Sequence, residues 1–251
     1  MQVLDKGYCK IIDHWGSDER IIEAARMSTN KGFQGWYRKC SCVQDVPSES
    51  PTLCEECKGK GYIPGDEKLL RYLWEHSHHT PFEMAGLTLE IYAPIFVIRE
   101  WHRHRTFSYN EMSGRYVELP NDYYLPSAER LGSSKQAAVN KQSSEAGFSE
   151  EEIKLFHYIM EYEQKHARSA YEELLEKGVA REVARMVLPV SQYSRFRASG
   201  NLRNWLHFLN LRLALNAQYE IREYAKVVAN LVEDLFPKTW GLFAEGLHGR
   251  N

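Results

Sequence analysis

The sequence predicts a fold of mixed α and β elements, and two kinds of periodicity carry that prediction. Leu87, Leu89 and Ile91 alternate with Thr88 and Glu90, the period of a half-buried strand, and Gln192 to Ala198 reads as a second strand. Longer segments opening at Ser17, Asp66, Ser149 and Asn201 repeat apolar residues at helical spacing instead. The chain of 251 residues can bury one sizeable core, or one core plus a small module. Hydrophobic residues make up 43% and charged residues 26%, the balance of an ordinary globular protein. With a net charge of −2 the chain as a whole does not attract polyanions, so any affinity for phosphate must be local. The opening Met1-Gln2-Val3-Leu4-Asp5-Lys6 lacks the pattern of a secretory signal, and no apolar stretch approaches the roughly 20 residues that cross a bilayer. A cytoplasmic protein is the expectation.

Taken in order, the first helix is expected from Ser17, a capping residue followed by Asp18 and Glu19, with Ile21, Ile22, Ala24 and Ala25 facing inward as far as about Ser28. Residues 33–65 break this texture and read as an insertion. They hold Cys40, Cys42, Cys54 and Cys57, four of the five cysteines in the chain, among prolines and glycines. Cys-x-Cys followed by Cys-x-x-Cys can close a tetrahedral Zn²⁺ site, and Cys57-Lys58-Gly59-Lys60-Gly61 suits the turn of a zinc knuckle. Two disulfides, which a reducing cytosol disfavours, and four free thiols are the alternatives.

A helix resumes from Asp66 to His76, and His78 to Glu83 follows as a short polar loop stopped by Pro81. His78 and His79 have no third ligand nearby and are not read as a metal site. Pro94 suits the first turn of a helix that carries Ile95, Ile98 and His102 on one face and delivers Arg103-His104-Arg105 at its end. Residues 127–149 read as a surface loop or a partly ordered linker. Ser149 and Glu152 form a capping box for a long helix ended by Gly178, and Arg181 and Arg185 then share one face of a short helix before Pro189. The last long helix is expected to start at Asn201 and run through Leu235. Within it Arg203, His207 and Asn210 make a polar face, whereas Arg212 falls in the apolar stripe with Trp205 and Leu209. A guanidinium there requires a partner, either a structural ion pair or a ligand.

Several of these segments together resemble the flavin-dependent thymidylate synthases. The resemblance rests first on Arg103-His104-Arg105 followed after seven residues by Ser113. It extends to Ala24-Ala25-Arg26-x-Ser28, to His78-x-Thr80-Pro81-Phe82-Glu83, and to Leu209-Asn210-Leu211-Arg212. It implies one α+β domain over residues 1–251, a central sheet flanked by helical bundles, interrupted by the 33–65 insertion. It implies reductive methylation of dUMP to dTMP, with 5,10-methylenetetrahydrofolate as one-carbon donor and NADPH-reduced FAD as hydride donor, in a homotetramer with shared active sites. By position, Ser28, Thr80, Arg103, His104, Arg105, Glu111, Asn201, Leu202, Arg203 and His207 are expected at FAD. Glu100, Arg103, Glu111, Met112, Ser113, Gly114, Arg115 and Arg185 are expected at dUMP, and Arg212 is the catalytic residue that polarises the pyrimidine.

Glu100, His207, Met84 and Asn216 depart from the family pattern. Glu100 stands where many members carry Gln and would repel the substrate phosphate unless it is turned away or paired with an arginine. The chain lacks a Gly-x-Gly-x-x-Gly and a Walker A loop, which argues against Rossmann and P-loop sites. Cys9 has no Pro-Cys setting of the kind used by the cysteine-dependent thymidylate synthases. A nucleic-acid-binding protein with a zinc module is the competing class, opposed by the charge of −2 and by arginines placed beside apolar elements.

Overall fold

The computed structural model describes residues 1–44, 54–136, 144–145 and 147–248. The fold is α+β. A hairpin of β1 (Gln2–Val3) and β2 (Gly7–Trp15) opens the chain, followed by α1 (Asp18–Arg26) and a 3-10 turn at Met27–Thr29. The cysteine-rich stretch contributes β3 (Tyr37–Lys39), α2 (Ser41–Gln44) and β4 (Tyr62–Pro64). Next come α3 (Asp66–Glu75), a 3-10 turn at Thr80–Met84, β5 (Gly86–Pro94), α4 (Ile95–Trp101) and β6 (Ser108–Glu111). Short pieces α5 (Ala128–Gly132), β7 (Lys135–Gln136) and β8 (Ser144–Glu145) lead to the long α6 (Glu150–Glu176). The chain finishes with α7 (Arg181–Ala184), a 3-10 turn at Arg185–Val187, β9 (Tyr193–Asn201), α8 (Leu202–Arg212), α9 (Tyr219–Leu235) and α10 (Pro237–His248). Five strands form one sheet in the order β1-β2-β5-β9-β6.

Contacts divide the chain into two compact units. The first comprises Met1–Asp13, Thr88–Gly200 and His207–Ala229. Its core is the inward face of β5 (Leu89, Ile91, Ala93) and of β9 (Phe196, Ala198) with Val97, Ile98 and Trp101 of α4. Trp101 stacks on Phe208 at 4.3 Å between ring centres. The hairpin closes on this core only because residue 7 is glycine: a Cβ there would lie 2.0 Å from the Tyr224 hydroxyl, which donates to the Tyr92 carbonyl at 2.6 Å. The capping box of α6 forms as expected, with Ser149 Oγ accepting from Glu152 N and Glu152 Oε2 accepting from Ser149 N. Along α6 only Tyr171 is fully buried, while Leu155, Tyr158, Ile159 and Tyr162 are exposed.

The second unit comprises His14–Leu87, Asn201–Leu206 and the chain from Asn230 onward. Ile21, Ile22, Leu70, Leu73, Phe82, Trp205 and Phe236 are its buried apolar residues, with Trp205 donating to the Leu87 carbonyl at 3.0 Å. Asp18 was expected only to favour its own helix, in whose first turn it lies. It is buried, and its carboxylate also caps α10, accepting from Lys238 N at 2.7 Å, Thr239 N at 3.1 Å and Thr239 Oγ1 at 2.6 Å.

Three expectations are corrected. The helix expected from Asn201 through Leu235 is broken between Arg212 and Tyr219, where Ala217 N bonds to the Ala214 carbonyl and Leu215 is 83% exposed. Two separate stripes, each in phase with itself, look like one along the sequence. The segment 127–149 is not loop throughout, since Ser127 caps α5 by accepting from Arg130 N and β7 pairs with β8; residues 137–143 and 146 lie outside the described ones. The stretch from Thr80 is a 3-10 turn rather than a polar loop, because Pro81 sits where a missing N–H is tolerated and Phe82 is buried.

Replacing Asp18 by Ala leaves two helix N–H groups and a buried hydroxyl without an acceptor. A loss of about 1–3 kcal/mol is expected in urea denaturation. An unchanged midpoint would refute the capping role.

Candidate active site

In the first unit the site is built where α4 ends. Pro94 fixes the entry to α4, and the chain turns at His102 into Arg103-His104-Arg105. Tyr109 of β6 pins this turn, its hydroxyl donating to the Trp101 carbonyl at 2.6 Å with the His104 carbonyl at 3.0 Å. No periodicity in the sequence marks β6, which pairs antiparallel with β9 from Ser108 opposite Ser199 to Glu111 opposite Phe196. At Gly200 a Cβ would lie 2.4 Å from the Phe107 ring, so the turn sits directly against the β9 backbone.

His104 is buried, with its ring packed at 4.9 Å on Phe208. Burial first, then the Arg212 guanidinium, push its pKa down to about 4, so the ring is neutral at physiological pH. Its Nε2 accepts from Arg212 Nε at 2.9 Å, which puts the imidazole proton on Nδ1. Arg212 Nη1 donates to Glu100 Oε2 at 2.7 Å and Nη2 to the Glu100 carbonyl at 3.1 Å. The partner that the apolar stripe demanded is therefore Glu100 with His104, and the carboxylate of concern at position 100 is the one an arginine neutralises. Three of the five guanidinium N–H groups are used, leaving two for a ligand. Glu100 and Arg103 also line an open cleft of about 650 Å³ with Phe96, Arg99, His102 and Gln218.

The loop after β6 carries the remaining candidates of this unit. Glu111 accepts from the buried Ser194 hydroxyl at 2.6 Å, and Met112 N bonds to the Arg195 carbonyl at 2.8 Å. Ser113 forms a turn, its carbonyl accepting from Tyr116 N and Val117 N. Gly114 is buried with the Arg185 side chain beside it, where a Cβ would meet Arg185 Cδ at 3.2 Å. Arg115 pairs with Glu182 at 3.1 Å in an exposed ion pair. Arg103, Arg105 and Arg185 are exposed and make no ion pair among the described residues. His207 is exposed, with its ring 6.3 Å from that of His104.

The second unit holds the other candidates. Ser28 lies exposed in the 3-10 turn after α1, donating to the Ala25 carbonyl at 3.1 Å. Thr80 is exposed at the start of its turn, and Arg203 donates to Glu83 of that turn at 2.5 Å. Asn201 caps α8 by accepting from Asn204 N at 3.0 Å. Leu202 is fully buried and gives its N–H to the Ala85 carbonyl at 2.7 Å, so its side chain serves packing.

Cys9 is buried, and burial pushes its thiol pKa up to about 12, which removes it as a nucleophile. Gln218, Arg99 and Tyr109 were missed as contributors; no spacing links them, because each is brought in by the fold. The donors fit a phosphate-bearing flavin, since Arg103 and Arg105, which have no carboxylate partner among the described residues, flank a neutral buried imidazole.

Fold and site together define an α+β protein that gathers Arg103, Arg105 and Arg212 around the buried His104 at the end of α4. Residues 10–238 match the profile of the family described as thymidylate synthase complementing protein. The flavin-dependent thymidylate synthase of Thermus thermophilus is 42% identical over 245 residues, covering 98% of this chain and 78% of that protein. That of Thermosipho africanus is 36% identical over 242 residues, covering 96% and 92%. The crystal structure of a UMP/dUMP methylase from Streptomyces cacaoi bound with 5-Br dUMP aligns with a TM-score of 0.76 and 30% identity, over 98% of this chain and 97% of that one. The chain belongs to the flavin-dependent thymidylate synthases.

The low pKa of His104 makes stability pH-dependent. The unfolded chain protonates this histidine near its ordinary 6.5 and the folded chain only near 4, so the unfolded state binds the proton first as pH falls. Stability should be full above 6.5 and decline towards pH 4, by up to about 3 kcal/mol from this group. Urea midpoints measured from pH 7 to 4.5 should fall less steeply for His104→Asn. Parallel profiles would show that His104 is not held neutral.

Proposed function

We propose that this chain converts dUMP to dTMP, taking a one-carbon unit from 5,10-methylenetetrahydrofolate, with FAD as its flavin and NADPH as reductant. The balance is dUMP, methylenetetrahydrofolate, NADPH and a proton giving dTMP, tetrahydrofolate and NADP⁺. A carbon–carbon bond forms at pyrimidine C5, the C5 proton is lost, and the transferred carbon leaves the folate nitrogen. FAD, when bound and reduced, supplies the hydride that completes the methyl group. The observation that carries the reading is Arg212, braced by His104 and Glu100 with two N–H groups to spare.

A planar cationic fork directed at N3 and O4 of uracil favours the ring ionised at N3, its proton passing to solvent, and so raises electron density at C5. Because the Cys9 thiol is held protonated by burial and the other four cysteines belong to the 33–65 segment, activation of C5 rests on this polarisation rather than on a covalent enzyme adduct. Ser113, the Gly114 N–H, Arg115 and Arg185 cluster around one loop and suit the 5′-phosphate, with Arg115 drawn from a weak exposed pair with Glu182. Glu111 and Met112 extend that surface. By their positions in the family motifs, Ser28, Thr80, Arg103, His104, Arg105, Glu111, Asn201, Leu202, Arg203 and His207 are assigned to FAD. The exposed apolar residues of α6, Leu155, Tyr158, Ile159 and Tyr162, support assembly into a homotetramer. No described helix is long and apolar enough to cross a membrane, which accords with a cytoplasmic enzyme.

The test is an assay of the purified protein with FAD, NADPH, methylenetetrahydrofolate and dUMP; absence of dTMP under all four would overturn the reading. Arg212→Ala should keep bound flavin and NADPH oxidation yet lose dTMP formation, by about 2–4 kcal/mol in transition-state terms. Arg212→Lys should recover only part of it, because the fork is lost. Loss of flavin or of folding in both variants would make Arg212 purely structural. Glu100→Gln should lower the KM for dUMP, since it preserves the hydrogen bond to Arg212 while freeing positive charge. A raised KM would mean that the carboxylate itself positions the substrate.

A further inference from the structure

The segment 33–65 lies within the second unit, and nothing in the proposed reaction uses it. We infer that Cys40, Cys42, Cys54 and Cys57 hold a single Zn²⁺ ion as a closed structural site; residues 45–53 between the two pairs lie outside the described ones. The four cysteine sulfurs lie within 4.8 Å of one another. Cys40 Sγ and Cys54 Sγ are 3.7 Å apart, and Cys42 Sγ and Cys57 Sγ 3.5 Å. A disulfide brings its sulfurs to about 2.05 Å, so these pairs are not bridged. Four thiolates about 2.3 Å from a common ion would stand about 3.8 Å from each other in a tetrahedron. The spacing therefore matches ligands around one ion. Two pairs joined as disulfides would have no reason to approach each other as closely.

The backbone curls tightly around this cluster. Lys58, Gly59 and Gly61 at positive φ of 48°, 80° and 73° turn the chain after Cys57. Lys60 N donates to the Cys57 carbonyl at 3.0 Å and Cys40 N to the Gly61 carbonyl at 3.1 Å, which ties the two cysteine pairs to one turn.

Packing supplies the second argument. The buried cluster of the segment is Cys40, Cys57 and Ile63, with Cys42 and Cys54 packed against it. Its sheet is one three-residue pairing, Tyr37–Lys39 with Tyr62–Pro64. Among the described residues this is a two-stranded ribbon with one buried aliphatic residue, Ile63, which is marginal in water, and small modules of this kind gain their folding energy from a metal. Four sulfur ligands leave no position open, so the ion is not catalytic.

What the ion secures is the base of the module. Gly65 N donates to the Trp36 carbonyl at 2.7 Å and Asp66 N to the Gly35 carbonyl at 2.9 Å, closing the segment where it enters α3. The buried Asp66 accepts from Gln34 N at 2.6 Å and from Arg26 Nε at 3.0 Å at the end of α1, two residues before Ser28. The ion thus stabilises a clamp between α1 and α3.

The full-length protein, purified without chelator, should contain about one zinc per chain by elemental analysis. A mercurial reagent should release that zinc, and replacing it by Co²⁺ should give the absorbance of a tetrahedral thiolate complex. Cys9→Ser should keep its zinc, whereas Cys42→Ser/Cys57→Ser should lose it and be cut by protease within 33–65 roughly tenfold faster. If the double variant is insoluble, the elemental and cobalt measurements on the unaltered protein decide. Metal-free protein with four freely reacting thiols, disulfides that persist after native purification, or iron in place of zinc would each overturn the inference. So would equal loss of zinc from Cys9→Ser.

Discussion

A guanidinium drawn into an apolar helix stripe must find a charge and a lone pair, and much of the first unit is arranged so that Arg212 finds both. Its side chain is 16% exposed and that of Glu100 33%, so the pair is partly shielded from water and neither partner is cheaply left alone. The imidazole lone pair is available only because His104 stays neutral, and it stays neutral because it is buried beside the cation it serves. Holding that ring in place requires the turn after α4, and the turn is held in its place by Tyr109 on β6. The edge strand, the turn and the arginine are therefore mutually dependent.

Around this fixed centre the other arginines are held more loosely. Arg115 pairs with Glu182 where both side chains are over half exposed, a contact that contributes little and yields easily to a stronger anion. Arg103 and Arg105 stand exposed on either side of the buried His104. In the proposed reaction, a rigid, charge-compensated guanidinium flanked by adaptable ones would separate the work of orienting a heterocycle from the work of attracting phosphate. A chain with a net charge of −2 can attract an anion in this way because positive charge is concentrated locally.

The second unit depends on buried carboxylates rather than buried cations. Asp18 and Asp66 each sit in the first turn of a helix, yet each gives its oxygens to backbone N–H groups of another segment, α10 for Asp18 and Gln34 for Asp66. A carboxylate that accepts several such bonds joins elements that share little apolar surface. This suits a unit whose cysteine-rich part has almost no hydrocarbon core of its own.

By itself the sequence determined what depends on neighbours within about four residues. The caps at Ser17, Ser127 and Ser149 are local hydrogen bonds, though the one at Ser127 was obscured by its polar surroundings. The strand at Leu87 to Ile91 and the helices from Asp66 and Ser149 are likewise periodicities that a short window contains. The basic motif was legible as a family likeness, and the anomaly of Arg212 as a misplaced charge. Only the tertiary structure decided which groups answer that charge, since Glu100 and His104 lie 112 and 108 residues away and no local pattern records the pairing. It also decided that Ser108–Glu111 is a strand, because its register comes from β9, and that the last helix breaks after Arg212, because apolar spacing carries on across a turn without marking it. Contacts of short range are written in order along the chain; those of long range are set by which surfaces exclude water together once the chain has closed.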